Sequence, residues 1–198
     1  MTADPRGVKA PQTSVPIADV LAGRWSPRGF DVAAELDAAQ VAALLEAGRW
    51  APSAANSQPW RFLVGLRGTA DFDLIYGCLT GGNLAWANRA SALIVMVAQV
   101  LDDQGNPRQW AEYDTGQAAA AISVQAESMG LSAHQMGGFD RQQVVERFGL
   151  DDALRPMAVM AVGALDPEPG LPEPFATREA APRQRIALAD LVLNGWQP

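Results

Sequence analysis

The stretch Pro52-Ser53-Ala54-Ala55-Asn56-Ser57-Gln58-Pro59-Trp60 sets small polar residues between two prolines. The prolines fix φ and remove two backbone donors, so the chain between them is stiff. Ser53, Asn56, Ser57 and Gln58 crowd hydrogen-bonding groups into one loop. Such a loop is too polar for a core and too stiff for a spacer, which points to recognition.

Outward from this loop, helix and strand alternate without internal repeats. Upstream, residues 35–49 with Trp50 carry Val41, Leu44, Leu45 and Trp50 at helical spacing, and that helix must stop before Pro52. Downstream, Trp60 to Val64 predicts a short strand and DFDLIYGCL (71–79) a helix. The run ALIVMVAQV (92–100) predicts a central strand buried on both faces. After a loop at 101–110 comes the longest predicted helix, capped by Asp114 with Gln117 at its third position and ending at Gly130. Its alanine-rich face permits close approach of another helix. AHQMGG (133–138) reads as a turn, 140–149 as a helix between Asp140 and Gly149, and PMAVMAVGAL (156–165) as a strand. The proline-rich DPEPGLPEPF (166–175) reads as an extended arm. Together these elements predict one α+β domain, a sheet with helices on both faces, its strand order open.

Composition narrows the chemistry. The chain has 198 residues, 48% hydrophobic, enough for one sizeable core. A net charge of −7 argues against bulk electrostatic binding of nucleic acid or anionic membrane, so any anion must be held locally. The only lysine, Lys9, lies in a polar N-terminal segment read as flexible, which leaves no Schiff-base or P-loop lysine in the body of the chain. One histidine, His134, and one cysteine, Cys78, make no metal cluster and no internal disulfide. With no N-terminal apolar region and no run long enough to span a bilayer, the expected location is cytoplasmic.

Two basic pairs stand far apart in this acidic chain. RWSPRGF (24–30) places Arg24 and Arg28 around Ser26, and PRQR (182–185) places Arg183 and Arg185 two apart, on one side of an extended segment. Either pair alone reads as a solvated turn; together with the polar loop they make an anion site credible.

In order and spacing, RWSPRGF, PSAANSQPW, GGN (81–83), HQMGGFD (134–140) and PRQR resemble the nitroreductase family of FMN-dependent oxidoreductases. The resemblance runs from about Leu21 to Leu191, and PSAANSQPW is its most specific element. It implies a three-layer α-β-α sandwich with a mixed, mainly antiparallel central sheet. It also implies an intertwined homodimer, with residues 21–198 as one FMN-binding domain, 1–20 flexible, and a C-terminal extension (about 166–198) embracing the partner.

By the same resemblance, Arg24 and Ser26 hold the FMN phosphate with Arg183 and Arg185, and Trp25 contributes its backbone. Arg28 lies near flavin N1 and O2. Pro52, Ser53, Ala54 and Asn56 serve the flavin of the other subunit, and Asn83 bonds the pyrimidine edge. Gln135, Met136, Gly137 and Gly138 pass along the ring, with a Gly137 N–H near N5. No side-chain acid, base or nucleophile is required. His134 reads as a packed or capping residue and Cys78 as buried and inert. Trp50 and Trp60 are expected in the core, with Trp86 and Trp110 lining the substrate side.

The implied activity is ping-pong transfer of hydride from NADH or NADPH through flavin N5 to an electron-poor acceptor, a quinone or nitroaromatic. The alternatives are other flavin chemistry on this scaffold, dehydrogenation or flavin breakdown, and non-catalytic flavin binding. Two departures from the family pattern affect the pocket. Trp86 stands where many members have a second basic residue, and Gly137 where some have glutamate. Arg89 is a candidate replacement for the missing charge.

Overall fold

The β-branched run at the centre of the chain forms the strand around which the rest is built. The computed structural model describes residues 5–196. Its elements are α1 (Pro5–Val8), α2 (Asp19–Gly23), α3 (Ala38–Arg49), β1 (Trp60–Leu66), α4 (Ala70–Tyr76), β2 (Ala92–Gln99), α5 (Ala111–Ser128), β3 (Ser132–Met136), α6 (Arg141–Phe148), β4 (Leu154–Gly163), α7 (Phe175–Ala180) and α8 (Leu188–Leu191). The sheet order is β1-β2-β4-β3. All three pairings are antiparallel, so the mixed component is not found among the described strands.

Side chains alternate across β2 and divide the core in two. Leu93, Val95 and Val97 face α4 and α6 with Phe72, Ile75 and Val144. Ile94 and Met96 face α3 and α5 with Leu44, Ala118, Ile122 and Ala126. Helices therefore cover both faces, which gives the three layers. Gly48 of α3 lets α5 approach closely: a Cβ there would lie 3.0 Å from Ile122 Cδ1.

Helix ends follow local chemistry. Asp37 and Gln40 form a reciprocal capping box on α3, Thr69 caps α4, and Asp140 caps α6, which Gly149 ends at φ 60°. The start of α5 differs from expectation. It begins at Ala111, three residues before Asp114, because the Asp114 carboxylate is taken up by another segment and caps nothing.

AHQMGG is also not simply a turn. Residues 132–136 form β3, paired from Ser132↔Gly163 to Met136↔Val159. This five-residue strand contains no β-branched residue, and burial against α5 rather than propensity makes it a strand.

Four tryptophans lie where sequence reading does and does not place them. Trp60 is in the core, but Trp50 is exposed, its indole N–H donating to Glu46 Oε1 at 2.9 Å beyond the last turn of α3. Trp86, expected on the substrate side, is fully buried between Phe30 and His134, with ring centroids at 6.2 and 4.6 Å. Trp110 is exposed beside Tyr113. Cys78 is buried, its thiol donates to the Leu74 carbonyl, and burial pushes its pKa up.

The N-terminal segment read as flexible, 1–20, lies outside the described residues at 1–4. Within the described part, Lys9 is buried rather than solvated. The C-terminal extension begins by folding over its own chain. Asp166 pairs with Arg89 at 2.8 Å, Leu171 is buried, and the Phe175 ring lies over Gly82. Residues 197–198 fall outside the described residues. Among those described, no helix is long and apolar enough to cross a membrane.

Candidate functional site

The two basic pairs meet. A cavity of about 230 Å³ is lined by Arg24, Trp25, Ser26 and Arg28 on one side and by Arg183 and Arg185 on the other. Lys9 and Arg178 complete its wall, so six cationic side chains face one small space. Sequence reasoning missed these two, although a sole lysine is itself a signal. It also missed Glu179, the carboxylate that shapes the wall. Its Oε1 accepts from the backbone N–H groups of Arg28 (2.8 Å) and Gly29 (3.1 Å), and its Oε2 lies 3.8 Å from Arg28 Nη1.

Arg183 is the best-fixed cation. Its Nη1 donates to the Arg24 carbonyl at 2.7 Å and its Nη2 to the Ala22 carbonyl, which joins the two distant basic segments directly. Its Nε is buried without a partner. Burial first, then repulsion from Arg24 and Arg185, lowers its pKa. Burial likewise lowers that of Arg28, with Arg178 adding repulsion and Glu179 opposing it. A buried donor with no acceptor, amid like charges, is a site suited to an anion.

His134 ties this wall to the HQMGG segment. Its Nδ1 sits 2.8 Å from the Pro27 carbonyl, which can only accept, so Nδ1 carries the hydrogen. Burial lowers its pKa to about 4, with the Pro27 hydrogen bond opposing and Arg28 reinforcing the shift. His134 is therefore a neutral packing and positioning residue at neutral pH.

Beyond it, Gly138 and Asn83 meet. Asn83 Nδ2 and the Thr80 N–H both donate to the Gly138 carbonyl at 3.0 Å, and a Cβ on Gly138 would lie 2.8 Å from Asn83 Nδ2. A Cβ on Gly137 would meet nothing within 4 Å, so the backbone there is open to a flat ligand. Met136 is buried, while Gln135 Nε2 donates to Ser123 Oγ at 3.2 Å. Arg89 is unavailable as a replacement charge, because its guanidinium binds Asp166 and the Phe30 carbonyl.

The polar loop stands apart: none of Pro52, Ser53, Ala54 and Asn56 lines the arginine cavity. Ala55, Asn56 and Gln58 have φ of 51°, 55° and 45°, left-handed conformations that non-glycine residues adopt at a cost. Asp114 Oδ2 accepts from the Ala54 N–H at 3.0 Å, Gln117 Nε2 donates to the Pro52 carbonyl, and Arg108 Nη1 to the Ser57 carbonyl. The loop is held in shape, with Ala54, Ala55 and Asn56 exposed.

Sheet order, layering and the basic cavity together define a known class. The nitroreductase family model matches residues 21–71 and 66–164, and the chain belongs to the nitroreductase family. A 15.4 kDa protein of Mycolicibacterium smegmatis, encoded in the ask 5′ region and of uncharacterised function, is 39% identical over 143 residues, 68% of this chain and 95% of the relative. YdgI of Bacillus subtilis (strain 168), for which NAD(P)H nitroreductase is the proposed activity, is 24% identical over 182 residues, 73% of this chain and 86% of YdgI. A crystal structure of an oxidoreductase containing FMN superposes with a TM-score of 0.87 at 33% identity, covering 93% of this chain and 94% of that one.

Proposed function

We propose that this protein is an FMN-dependent NAD(P)H oxidoreductase acting as a homodimer. The observation that carries the reading is the arginine cavity, above all the buried, unpartnered Nε of Arg183 beside Arg24 and Arg185. These residues fit a phosphate monoester, which supplies the acceptors and the negative charge that the cavity lacks.

Arg24, Ser26, Arg183 and Arg185 would hold the phosphate, with Trp25 contributing its backbone. Arg28 would carry its charge toward the N1 and O2 side of the flavin ring. Asn83, with one amide half given to Gly138, would bond the pyrimidine edge with the other. Gln135, Met136, Gly137 and Gly138 would run along the ring, which the missing Cβ of Gly137 lets approach the backbone. Pro52, Ser53, Ala54 and Asn56 would serve the site of a second copy, consistent with the exposure of Pro52, Ala54 and Asn56 on a stiffened loop outside their own chain's cavity. Bound FMN would supply two-electron transfer from NADH or NADPH to an electron-poor acceptor, a quinone or nitroaromatic, the two taken in turn at one place. No side-chain proton donor is assigned, since Nδ1 of the neutral His134 is committed to Pro27.

The test is anaerobic. Purified protein carrying FMN should lose its flavin absorbance on adding NADH or NADPH and regain it with a quinone. Protein that binds FMN yet is bleached by neither nicotinamide is not this oxidoreductase.

A further inference from the structure

Lys9 lies upstream of the residues that match the family, yet its side chain reaches the arginine cavity. It is 5% exposed, with Nζ 4.7 Å from the centre of the Trp25 ring. Nζ donates to the carbonyls of Arg178 and Ala181, at the end of α7, where helical carbonyls lack intrahelical partners. Two of the ammonium's three donors are thereby used, and one is left for the cavity the residue lines.

Helix capping alone does not account for this arrangement. A neutral donor could satisfy those carbonyls, whereas a buried ammonium joins five guanidiniums against two carboxylates, Glu179 beside Arg28 and Glu127 acting on Arg183. Arg178 and Arg185 are exposed and Arg24, Arg28 and Arg183 half-buried, so Lys9 is the buried cation of the set. Burying an ammonium beside cations that outnumber the carboxylates is unfavourable unless an anion joins them. We infer that Lys9 is a ligand of the bound phosphate, fixed by α7, and that the phosphate in turn locks the N-terminal segment onto the C-terminal arm. The inference rests on the reading of the cavity as the FMN phosphate site. It adds a residue from outside the matched family region.

FMN and riboflavin share the ring and differ in the phosphate, so titration of the full-length apoprotein with each isolates the charge effect. Lys9→Met should weaken FMN about tenfold and leave riboflavin unchanged, with Lys9→Arg recovering part of the loss. Unchanged FMN affinity, or equal weakening of both ligands, overturns the inference. Arg24→Ala in parallel separates the two claims: if it too leaves the preference for FMN intact, the phosphate reading itself falls. In the wild type, amide exchange of residues 7–20 should slow with FMN and not with riboflavin. Exchange indifferent to the phosphate would overturn the proposed lock without any variant.

Discussion

The backbone N–H of Ala54 donates to Oδ2 of Asp114 at 3.0 Å, a bond that fixes the polar loop to the first turns of α5. Asp114 is 2% exposed, so this carboxylate is buried for the loop's sake. Each left-handed non-glycine residue costs about 1–3 kcal/mol, and the loop carries three. Without its anchors from Asp114, Gln117 and Arg108, the loop would relax toward ordinary turn geometry.

Asp114→Ala should therefore destabilise the fold by about 1–3 kcal/mol, because the loop's hydrogen bond to a charged group is lost. Asp114→Asn, which keeps an acceptor, should lose less. Urea denaturation measures both. An alanine variant as stable as the wild type would mean that the loop holds itself.

His134 sets an acid dependence. Its folded pKa, lowered chiefly by burial to about 4 from 6.5, means that the unfolded chain binds the proton more readily. Stability is thus fully present above pH 6.5 and is lost as pH falls toward 4, by about 3 kcal/mol. His134→Gln removes this contribution. Its stability curve should fall less steeply than the wild type's between pH 6.5 and 4, and parallel curves would show that the imidazole titrates normally.

What the sequence made legible follows physical range. The apolar run of β2 from Ala92 to Ala98, the cap at Asp140 and the Gly149 stop are local signals, and each lies where local chemistry puts it. β3 was hidden because pairing with β4 and burial against α5, not propensity, make it a strand. Asp114 misled because a good capping residue was recruited by a loop sixty positions away. In the site, motif spacing identified the residues of the two basic pairs, which Arg183 joins through the Arg24 carbonyl. Lys9, Arg178 and Glu179 belong to no motif, and only the folding of both termini over the same wall brings them there.

The exposed apolar side chains of Ile186, Leu188, Leu191, Leu193 and Trp196 at the end of the arm should be covered in a homodimer. Gel filtration should give a dimer, and truncation after Arg185 should yield monomer with greatly weakened FMN binding. A monomer that retains full flavin would assign the loop at 52–56 another task.

Arg28→Met tests the ring side of the cavity. With Arg24, Arg183 and Arg185 intact, FMN should stay bound while its two-electron midpoint potential falls, about 30 mV for each 1.4 kcal/mol of lost charge stabilisation. Loss of FMN to the extent seen on changing Arg24 would instead make Arg28 a phosphate ligand, as its place in the shared cavity also permits.

The central claim is that this chain holds FMN by its phosphate between two basic pairs. Equilibrium titration of apoprotein with FMN and with riboflavin, for wild type, Arg24→Ala and Arg185→Ala, tests it most directly. The wild type should prefer FMN strongly, and each variant should lose about 1.5–3 kcal/mol of FMN binding while riboflavin affinity barely changes. Equal losses for both ligands, or a wild type indifferent to the phosphate, would contradict the account.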